Sequence, residues 1–378
     1  MIFLTNFSNK LLVILAVLFI CLSACTRLNG QAVKETTEPF INKVPIAVLP
    51  VNNLSGLPAP LSDIRQLLIN SLNKAGINTL DEEVLERVMA KHRIRYVGGI
   101  DTVAAKAFKN EALTETALIT SLELYNDVFP PKIALTSRLV SVGKTISILW
   151  MKGIGITGDD SPGILELGLI EDPQTLLRKA LQNITVSLSE YLSDQGSGMD
   201  IDKNRKKFWP KVIFQSPILN PGIKYRVAIL PFFNYSDRKY AGQIIALQFV
   251  RQLLTYKNFE VIEPGIARHE LLGLRVIMDD GLSLANADII FSRLNADLIL
   301  TGKVIDYQDY QGAGGKSKVD FSAILIDRKS REVVWSSKSY NQGDDGVFFF
   351  DWGRVNTAHV MASEMAHQVV EMITEENP

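Results

Sequence analysis

The alternation of apolar and polar positions is clearest in the second half of the chain. The run RVAILPF at 226–232 predicts a short buried strand, and a turn follows it at 234–237. Residues 241–257 carry apolar side chains at helical spacing, whereas ADLILTGKVIDYQDY at 296–310 predicts a long strand. Between them Ser283 is predicted to cap a helix that begins directly after it. Two strands joined by a tight turn and a closing amphipathic helix complete the pattern.

The first half of the chain repeats the same order of elements. The segment PIAVLPVNNLSG at 45–56 matches RVAILPFFNYSD at 226–237, with identical residues 181 positions apart. A Gly-Asp-Asp sequence occurs at 158–160 and again at 343–345, an offset of 185, so few insertions separate the two copies. Each copy alternates strands and helices and ends in a strand hairpin and a helix. The predicted fold class is therefore α/β, with two tandem homologous α/β sandwich domains that contain mixed sheets.

The N-terminus has the pattern of a lipoprotein signal peptide. Lys10 precedes a continuous apolar run at 11–24, and 14 residues are too few for a membrane span of about 20. The tetrapeptide LSAC at 22–25 resembles a bacterial lipobox, so Cys25 is the predicted site of lipidation by acyl chains such as palmitate. The residue directly after Cys25 is Thr26. An Asp at this position would favour retention of the lipoprotein in the inner membrane, so Thr26 indicates the outer membrane, with the protein on its periplasmic face. The alternative is an ordinary secretory signal peptide or an uncleaved membrane anchor, in which Cys25 would not be lipidated.

Five segments follow from these patterns, and each repeat is expected to bury a core of its own. Their boundaries are the lipoprotein signal peptide at 1–24, the lipidated cysteine and tether at 25–43, the first repeat at 44–192, a polar linker at 193–224 and the second repeat at 225–378.

Six ordered segments of the second repeat resemble the CsgG/TolB-N-terminal-like periplasmic domain. They are VAILPFFNYSD, AGQIIALQFVRQLL, FEVIEPG, NADLILTGKVIDY, DFSAILIDRKSREVVWSSK and GDD, within 226–374. The first copy at 45–192 is similar more loosely, because Ala117 replaces the Asp of NADLIL and Val142 stands opposite Asp327. The family includes curli secretion channels and peptidoglycan-synthase activators. The resemblance implies binding and assembly roles in the envelope rather than catalysis.

Composition excludes several classes of protein. The chain has 378 residues, of which 47% are apolar, and a formal net charge of −1, so no general electrostatic attraction to nucleic acid is expected. Only Cys21 and Cys25 are cysteines, and cleavage of the signal peptide would remove the first. Disulfides and thiolate metal sites are therefore not expected, and no cofactor is predicted.

Two glycine-lysine segments have a simpler interpretation than nucleotide binding. The segments GAGGKS at 312–317 and VGKT at 142–145 have Tyr310 and Arg138 where a phosphate loop needs a glycine. Both are predicted to be hairpin turns. The Gly-Asp-Asp sequences are likewise expected to end strands and to bond turn amides rather than a metal.

The predicted helix near the C-terminus contains a glutamate and a histidine at the spacing found in di-metal sites of helical proteins. Glu364 and His367 are three residues apart, and His359 is nearby, but a di-metal site would need a second helix with the same device. The prediction is therefore a solvated helix face. No catalytic set emerges from the sequence, and the protein is not expected to be an enzyme.

Two aromatic segments are candidates for contacts. The run GVFFFDWG at 346–353 places Phe348, Phe349, Phe350 and Trp352 together, and these are the predicted contacts for a partner or a neighbouring subunit. The alternative is that this segment packs under the final helix. The segment KNRKKFWPK at 203–211 fits either a solvated linker or a contact with acidic lipid headgroups.

Together these patterns predict an outer-membrane-anchored periplasmic lipoprotein that acts as a scaffold or assembly factor in envelope biogenesis or secretion. Its expected partners are the membrane, reached through the N-terminal lipid, and envelope proteins, with a homo-oligomer or ring as a further possibility. The alternatives are a subunit of a CsgG-like secretion channel or an activator of a peptidoglycan synthase. The short connection NDVFPPK disfavours the channel, and the short tether disfavours the activator.

Overall fold

A computed structural model describes the protein over most of its two repeats. The described residues are 44–160, 168–194, 208–216, 222–274, 282–310, 315–345, 347 and 354–374. The predicted signal peptide, the tether with Cys25, and the aromatic residues Phe348, Phe349, Phe350 and Trp352 lie outside these ranges.

The first repeat folds into one mixed sheet with four helices among its described residues. Its elements are β1 (Ala47–Val48), β2 (Asn52–Asn53), α1 (Leu61–Lys74), α2 (Glu82–Lys91), α3 (Thr102–Asn110), β3 (Thr116–Asn126), β4 (Lys132–Ser141), β5 (Ser147–Thr157) and α4 (Pro173–Asp194). The strand order is β1-β3-β4-β5, and β2 also pairs with β3. The short strands run parallel to β3, whereas β3, β4 and β5 are antiparallel. The side chains of Asp81 and Asp101 accept hydrogen bonds from the first backbone amides of α2 and α3, which fixes where these helices begin.

The second repeat has the same order of helices and long strands, and it adds two edge strands. Its elements are β6 (Lys211–Gln215), β7 (Tyr225–Ile229), β8 (Phe233–Asn234), α5 (Ala241–Leu253), β9 (Phe259–Val261), α6 (Pro264–Gly273), α7 (Leu284–Leu294), β10 (Leu298–Gln308), β11 (Lys318–Asp327), β12 (Glu332–Gln342) and α8 (Ala358–Thr374). The strand order is β6-β12-β11-β10-β7-β9, and β8 also pairs with β10. The added edge strands are β6 and β9, and the first repeat has an isolated bridge between Ile46 and Thr79 at the position of β9. The protein is therefore an α/β protein with two mixed sheets. The predicted cap is confirmed, since the Ser283 hydroxyl accepts a hydrogen bond from the Asn286 amide at 3.2 Å.

The strand register shows which positions of the two repeats are equivalent. In β3, Leu118 pairs with Val48 and Leu139, and in β10, Leu300 pairs with Ile229 and Leu325. Both long strands then carry an irregularity at the same point. The residue at the irregularity is Glu123 in β3 and Ile305 in β10. The register places equivalent residues 182 positions apart in these strands.

The helices form layers on the sheets, and one layer serves both repeats. Helix α4 packs on the first sheet, and α1 packs against α4 and shares a hydrophobic cluster with that sheet. The corresponding α5 and α8 pack on the second sheet and also contact β5 of the first. One hydrophobic cluster lies within the first repeat and one within the second, whereas a third contains residues of both. Eleven of the seventeen residues of α8 are buried, so this helix is covered on nearly all sides.

Candidate functional site

A buried carboxylate–imidazole pair joins the two repeats. Glu123 of β3 and His359 of α8 are 1% and 2% exposed, and Oε2 of the carboxylate lies 2.5 Å from Nδ1 of the imidazole. The same carboxyl group accepts hydrogen bonds from the Thr136 hydroxyl at 2.5 Å and from the Gln248 amide at 3.2 Å. The prediction of a solvated face at His359 is therefore wrong, because α8 lies between the first sheet and the second.

A second buried pair lies at the same joint. Arg138 of β4 donates to Glu263 through Nε at 3.1 Å and through Nη2 at 2.9 Å, and neither side chain is exposed. Nη2 also donates to the Gly98 carbonyl at 2.6 Å. Glu263 is the residue before α6, and its carboxylate accepts from the amides of Gly265 and Ile100. One carboxylate thus caps a helix of the second repeat and binds the backbone of the first.

At this point the two backbones approach closely. A Cβ atom added at Gly265 would lie 2.3 Å from the Ile100 nitrogen, and one added at Gly99 would lie 2.7 Å from the Gly265 backbone. Real Cβ atoms do not come this close to backbone atoms. Glycine is therefore required at these positions for α6 to contact the loop before α3.

The Gly-Asp-Asp segments bond their own turns, as predicted. Asp160 accepts from the Thr157 amide at 2.7 Å, and Asp345 accepts from the Gln342 amide at 2.8 Å. Asp160 also accepts from the side chain of Asn356 at 2.9 Å, so this turn adds a further contact between repeats.

A buried lysine lies near this turn. Lys132, at the start of β4, donates to the Tyr310 carbonyl at 2.9 Å and lies over the Tyr310 ring, 3.0 Å from its centroid. Burial lowers the pKa of Lys132 to about 8, although Asp309 and Asp159 oppose this shift. Burial also raises the pKa of Asp309.

A cleft opens beside the buried imidazole. Its volume is about 380 Å³, which falls within the range of small-molecule sites. Strand β5 supplies its floor, α4 supplies one wall, and α5 and α8 supply the other. The lining includes Gly153, Gly155, Glu190, Arg251, His359 and Ser363.

Among the residues that the structure describes, no element covers part of one face of the second sheet, and we call this part the open face. A row of paired residues crosses this face from β10 to β6. Lys303 of β10 pairs with Ser322 of β11, and Ser322 pairs with Lys338 of β12. Lys338 in turn pairs with Lys211 of β6. Large side chains flank the row and are between 49% and 52% exposed: Phe214, Tyr235, Ile305 and Tyr340. Two lysines directly opposite each other on neighbouring strands repel, since strands lie about 5 Å apart.

The corresponding face of the first sheet is covered and differs in two positions. Counting from the equivalent tryptophans Trp150 and Trp335, Gly153 corresponds to Lys338 and Gly155 to Tyr340. A Cβ atom at Gly155 would lie 2.8–3.0 Å from side chains of the α8 region, so the glycines allow that helix to approach. Lysine and tyrosine at these positions obstruct a helix that approaches the open face in the same way.

Some candidate residues from the sequence fall on described ranges and others do not. The segment at 142–145 is the predicted hairpin turn between β4 and β5, whereas 312–317 lies partly outside the described residues. Cys25 and the four residues of the aromatic segment lie wholly outside them. Phe208 is buried and Trp209 is 54% exposed.

Over the described ranges, no group of three or more His, Cys, Asp or Glu side chains is arranged to hold a metal ion. No helix within the same ranges has the length and apolar character needed to cross a membrane.

Sequence interpretation missed Glu123, Arg138 and Lys132. Glu123 is the one charged residue of β3, and Lys132 and Arg138 are the two charged residues of β4, in strands whose positions are almost all buried. A charge in such a strand is a signal for a buried partner, because an unpaired buried charge is costly.

No protein-family model matches the chain, and no curated protein matches it. Solved structures give several similarities at low identity. A PelC dodecamer from Paraburkholderia phytofirmans is 20% identical, with 44% of this chain and 99% of that chain covered and a TM-score of 0.32. Lipoprotein GNA1162 from Neisseria meningitidis is 17% identical, with 38% and 99% covered and a TM-score of 0.28. The C-terminal domain of LpoB from Salmonella enterica is 14% identical, with 32% and 85% covered and a TM-score of 0.25.

Proposed function

We propose that the chain is an outer-membrane-anchored periplasmic lipoprotein, lipidated at Cys25, that acts as a scaffold in envelope biogenesis or secretion. The open face is its docking surface, and the partner is a protein with an acidic surface. The anchoring part of the proposal rests on the lipobox and the apolar run that precedes it. The docking part rests on the geometry of the two sheets.

The observation that carries the docking proposal is the difference between two equivalent faces. In the first repeat, the helices α5 and α8 of the second repeat pack on this face. The equivalent face of the same fold is therefore already a packing surface for helices. In the second repeat the face carries exposed apolar and aromatic side chains, which are the residue types that dominate binding energy in protein interfaces.

Charge indicates the chemistry of the partner. The lysine row of Lys303, Lys338 and Lys211 is exposed. Of the carboxyl groups on this face, Asp306 pairs with Lys318 at 2.7 Å, and burial raises the pKa of Asp320. An acidic stripe on the partner, flanked by apolar residues, would relieve the repulsion between Lys338 and Lys211.

A second copy of this chain is a poorer occupant than a different protein. The internal joint is heterologous, because helices of one repeat contact the sheet of the other, and such joints can continue into rings or filaments. Continuation would bring α1 and α4 of another copy onto the open face. Lys338 and Tyr340 stand where Gly153 and Gly155 allow that approach within the chain.

Photo-crosslinking in intact cells tests the proposal. A photoreactive residue in place of Tyr340 is expected to give an adduct with another protein, whereas the same residue at Leu113, which is 74% exposed in the first repeat, is not. The adduct should be lost with Lys303→Glu and Lys338→Glu together and kept with Lys338→Arg, and the crosslinked peptide should be rich in Asp and Glu.

Three outcomes would contradict the docking proposal: no adduct, an adduct of two copies of this chain, or an adduct with lipid. The anchor is tested separately by Cys25→Ser, which should abolish lipid labelling and leave an unprocessed precursor. Normal acylation of that variant would show that the lipobox assignment is wrong.

A further inference from the structure

We infer that a small cavity at the joint between the repeats binds a compact apolar carboxylate, whose hydrocarbon part has the size of an isobutyl group. The cavity has a volume of about 110 Å³ and lies between α5, α6 and the first repeat. An apolar cavity of roughly 150 Å³ can hold a benzene molecule, so this cavity suits a slightly smaller apolar group.

The floor of the cavity is apolar. Helix α5 supplies residues that follow Gln243 by three, four and seven positions, which places their side chains on one side of the helix. The floor is formed by residues that are at most 7% exposed: Ala246, Leu247, Val250, Leu54 and Ile229. These side chains carry no hydrogen-bonding group, so the floor favours a hydrocarbon over a polar group.

The rim carries a cationic side chain, Arg268 of α6. Pro264, Arg268 and Leu271 are four and three residues apart, so they share the side of α6 that borders the cavity. The guanidinium of Arg268 lies over the Tyr96 ring, 3.9 Å from its centroid, and this contact orients it. Burial raises the pKa of Tyr96, so the phenol stays neutral and the rim keeps the positive charge of the arginine.

No anionic side chain pairs with Arg268 within the described part of the chain. Among those residues, its guanidinium forms neither a hydrogen bond nor an ion pair. The Glu263 carboxylate, which precedes α6, is already bound by Arg138 and by the amides of Ile100 and Gly265. A ligand carboxylate at the mouth of the cavity could accept two parallel hydrogen bonds from the guanidinium while its hydrocarbon part fills the floor.

Gly98 of the first repeat positions the tyrosine. A Cβ atom at Gly98 would lie 2.8 Å from the Tyr96 hydroxyl oxygen and 2.7 Å from the Asn52 amide nitrogen. Both side chains line the cavity, so a larger residue at position 98 would displace them and the guanidinium that stacks on Tyr96. The site therefore depends on residues of both repeats.

The test is a titration of the full chain with 4-methylpentanoate, which carries an isobutyl group and a carboxylate. Binding is followed by NMR of 13C-labelled leucine and valine methyl groups. The signals of Leu54, Leu247 and Val250 are expected to shift, whereas those of Leu181 and Leu188, in the core of the first repeat, are expected to stay unchanged. The neutral amide 4-methylpentanamide should bind about tenfold more weakly or worse, because it offers the arginine no charge. Acetate, which lacks the isobutyl group, should cause no shift.

The source of the carboxylate is a separate question for the same assay. The tripeptide Gly-Gly-Leu presents an isobutyl group and a carboxylate at the end of a peptide. Tighter binding of Gly-Gly-Leu than of 4-methylpentanoate would identify a peptide C-terminus as the ligand, and the reverse order would identify a free acid.

Variants test the two parts of the site one at a time. Arg268→Gln is expected to weaken the binding of 4-methylpentanoate about tenfold, to the level of the amide, whereas Arg87→Gln at an exposed position of α2 should have no effect. Ala246→Leu fills the cavity and should abolish the methyl shifts, whereas Ala90→Leu, also exposed on α2, should not. Circular dichroism checks that each variant is folded. Unshifted methyl signals in the wild type, equal affinity for the amide, or unchanged binding in Arg268→Gln would overturn the inference.

Discussion

The joint between the repeats can be tested through the buried pair of Arg138 and Glu263. Replacing Arg138 with methionine leaves the Glu263 carboxylate buried without its charge partner. Breaking a buried ion pair from one side costs about 3–5 kcal/mol. Total stabilities are about 5–15 kcal/mol, so the loss is a large fraction of the whole. Glu263→Gln should cost a similar amount, because it leaves the guanidinium buried and unpaired.

The double variant gives the sharper result. In Arg138→Met with Glu263→Gln, no charge remains, and the glutamine oxygen still accepts from the amides of Ile100 and Gly265. The double variant is therefore expected to lose less than either single variant, about 2 kcal/mol or less, with a coupling energy of several kcal/mol. The two residues are 125 positions apart in sequence and belong to different repeats, so strong coupling can arise only if the repeats pack as described.

Urea unfolding followed by circular dichroism measures these free energies. Lys91→Met removes the surface pair with Glu111 and serves as a control, since the lysine side chain is 65% exposed and its loss should have little effect. If the losses of the two single variants simply add in the double variant, the pair is not formed in solution. That result would refute the proposed packing of the second repeat against the first.

Two further predictions follow from the same joint. Gly265→Ala should destabilise the protein, because its Cβ atom would lie 2.3 Å from a backbone nitrogen of the first repeat. Gly273→Ala, at the end of the same helix, meets nothing within 4 Å and should be neutral or stabilising. Equal thermal stabilities for the two variants would contradict the close approach of the two backbones. Burial lowers the pKa of Lys132 from 10.5 to about 8, so between pH 8 and 10.5 the unfolded chain holds more protons and stability should rise with pH. Lys132→Met should lack this rise in denaturation measured across the same pH window, and identical pH profiles for wild type and variant would show that Lys132 is not buried as described.

Much of the fold follows from local patterns in the sequence. The strand β10, the cap at Ser283 and the matched order of both repeats rest on periodicity and turn residues within short windows. The added strand β6 and the joint between repeats do not. Glu123 and His359 are 236 positions apart, and no local pattern connects them. The sequence did hold one unused signal, since α8 is apolar around most of its circumference, and such a helix is buried on all sides.

The differences between the two repeats bear on whether a further copy could bind the second sheet in the way that the second repeat binds the first. A heterologous joint between identical units has no natural end, because every unit offers the same free sheet face to the next. Here the first sheet carries Gly153 and Gly155 and accepts the helix layer of the second repeat, whereas the second sheet carries Lys338 and Tyr340 at the equivalent positions. At the irregular position of the long strand, the first repeat has Glu123, which binds His359, and the second has the exposed Ile305. The first face is thus shaped for a helix of this chain. The second lacks both the space and the buried carboxylate, and this difference is what favours a different partner in the proposed docking at the open face.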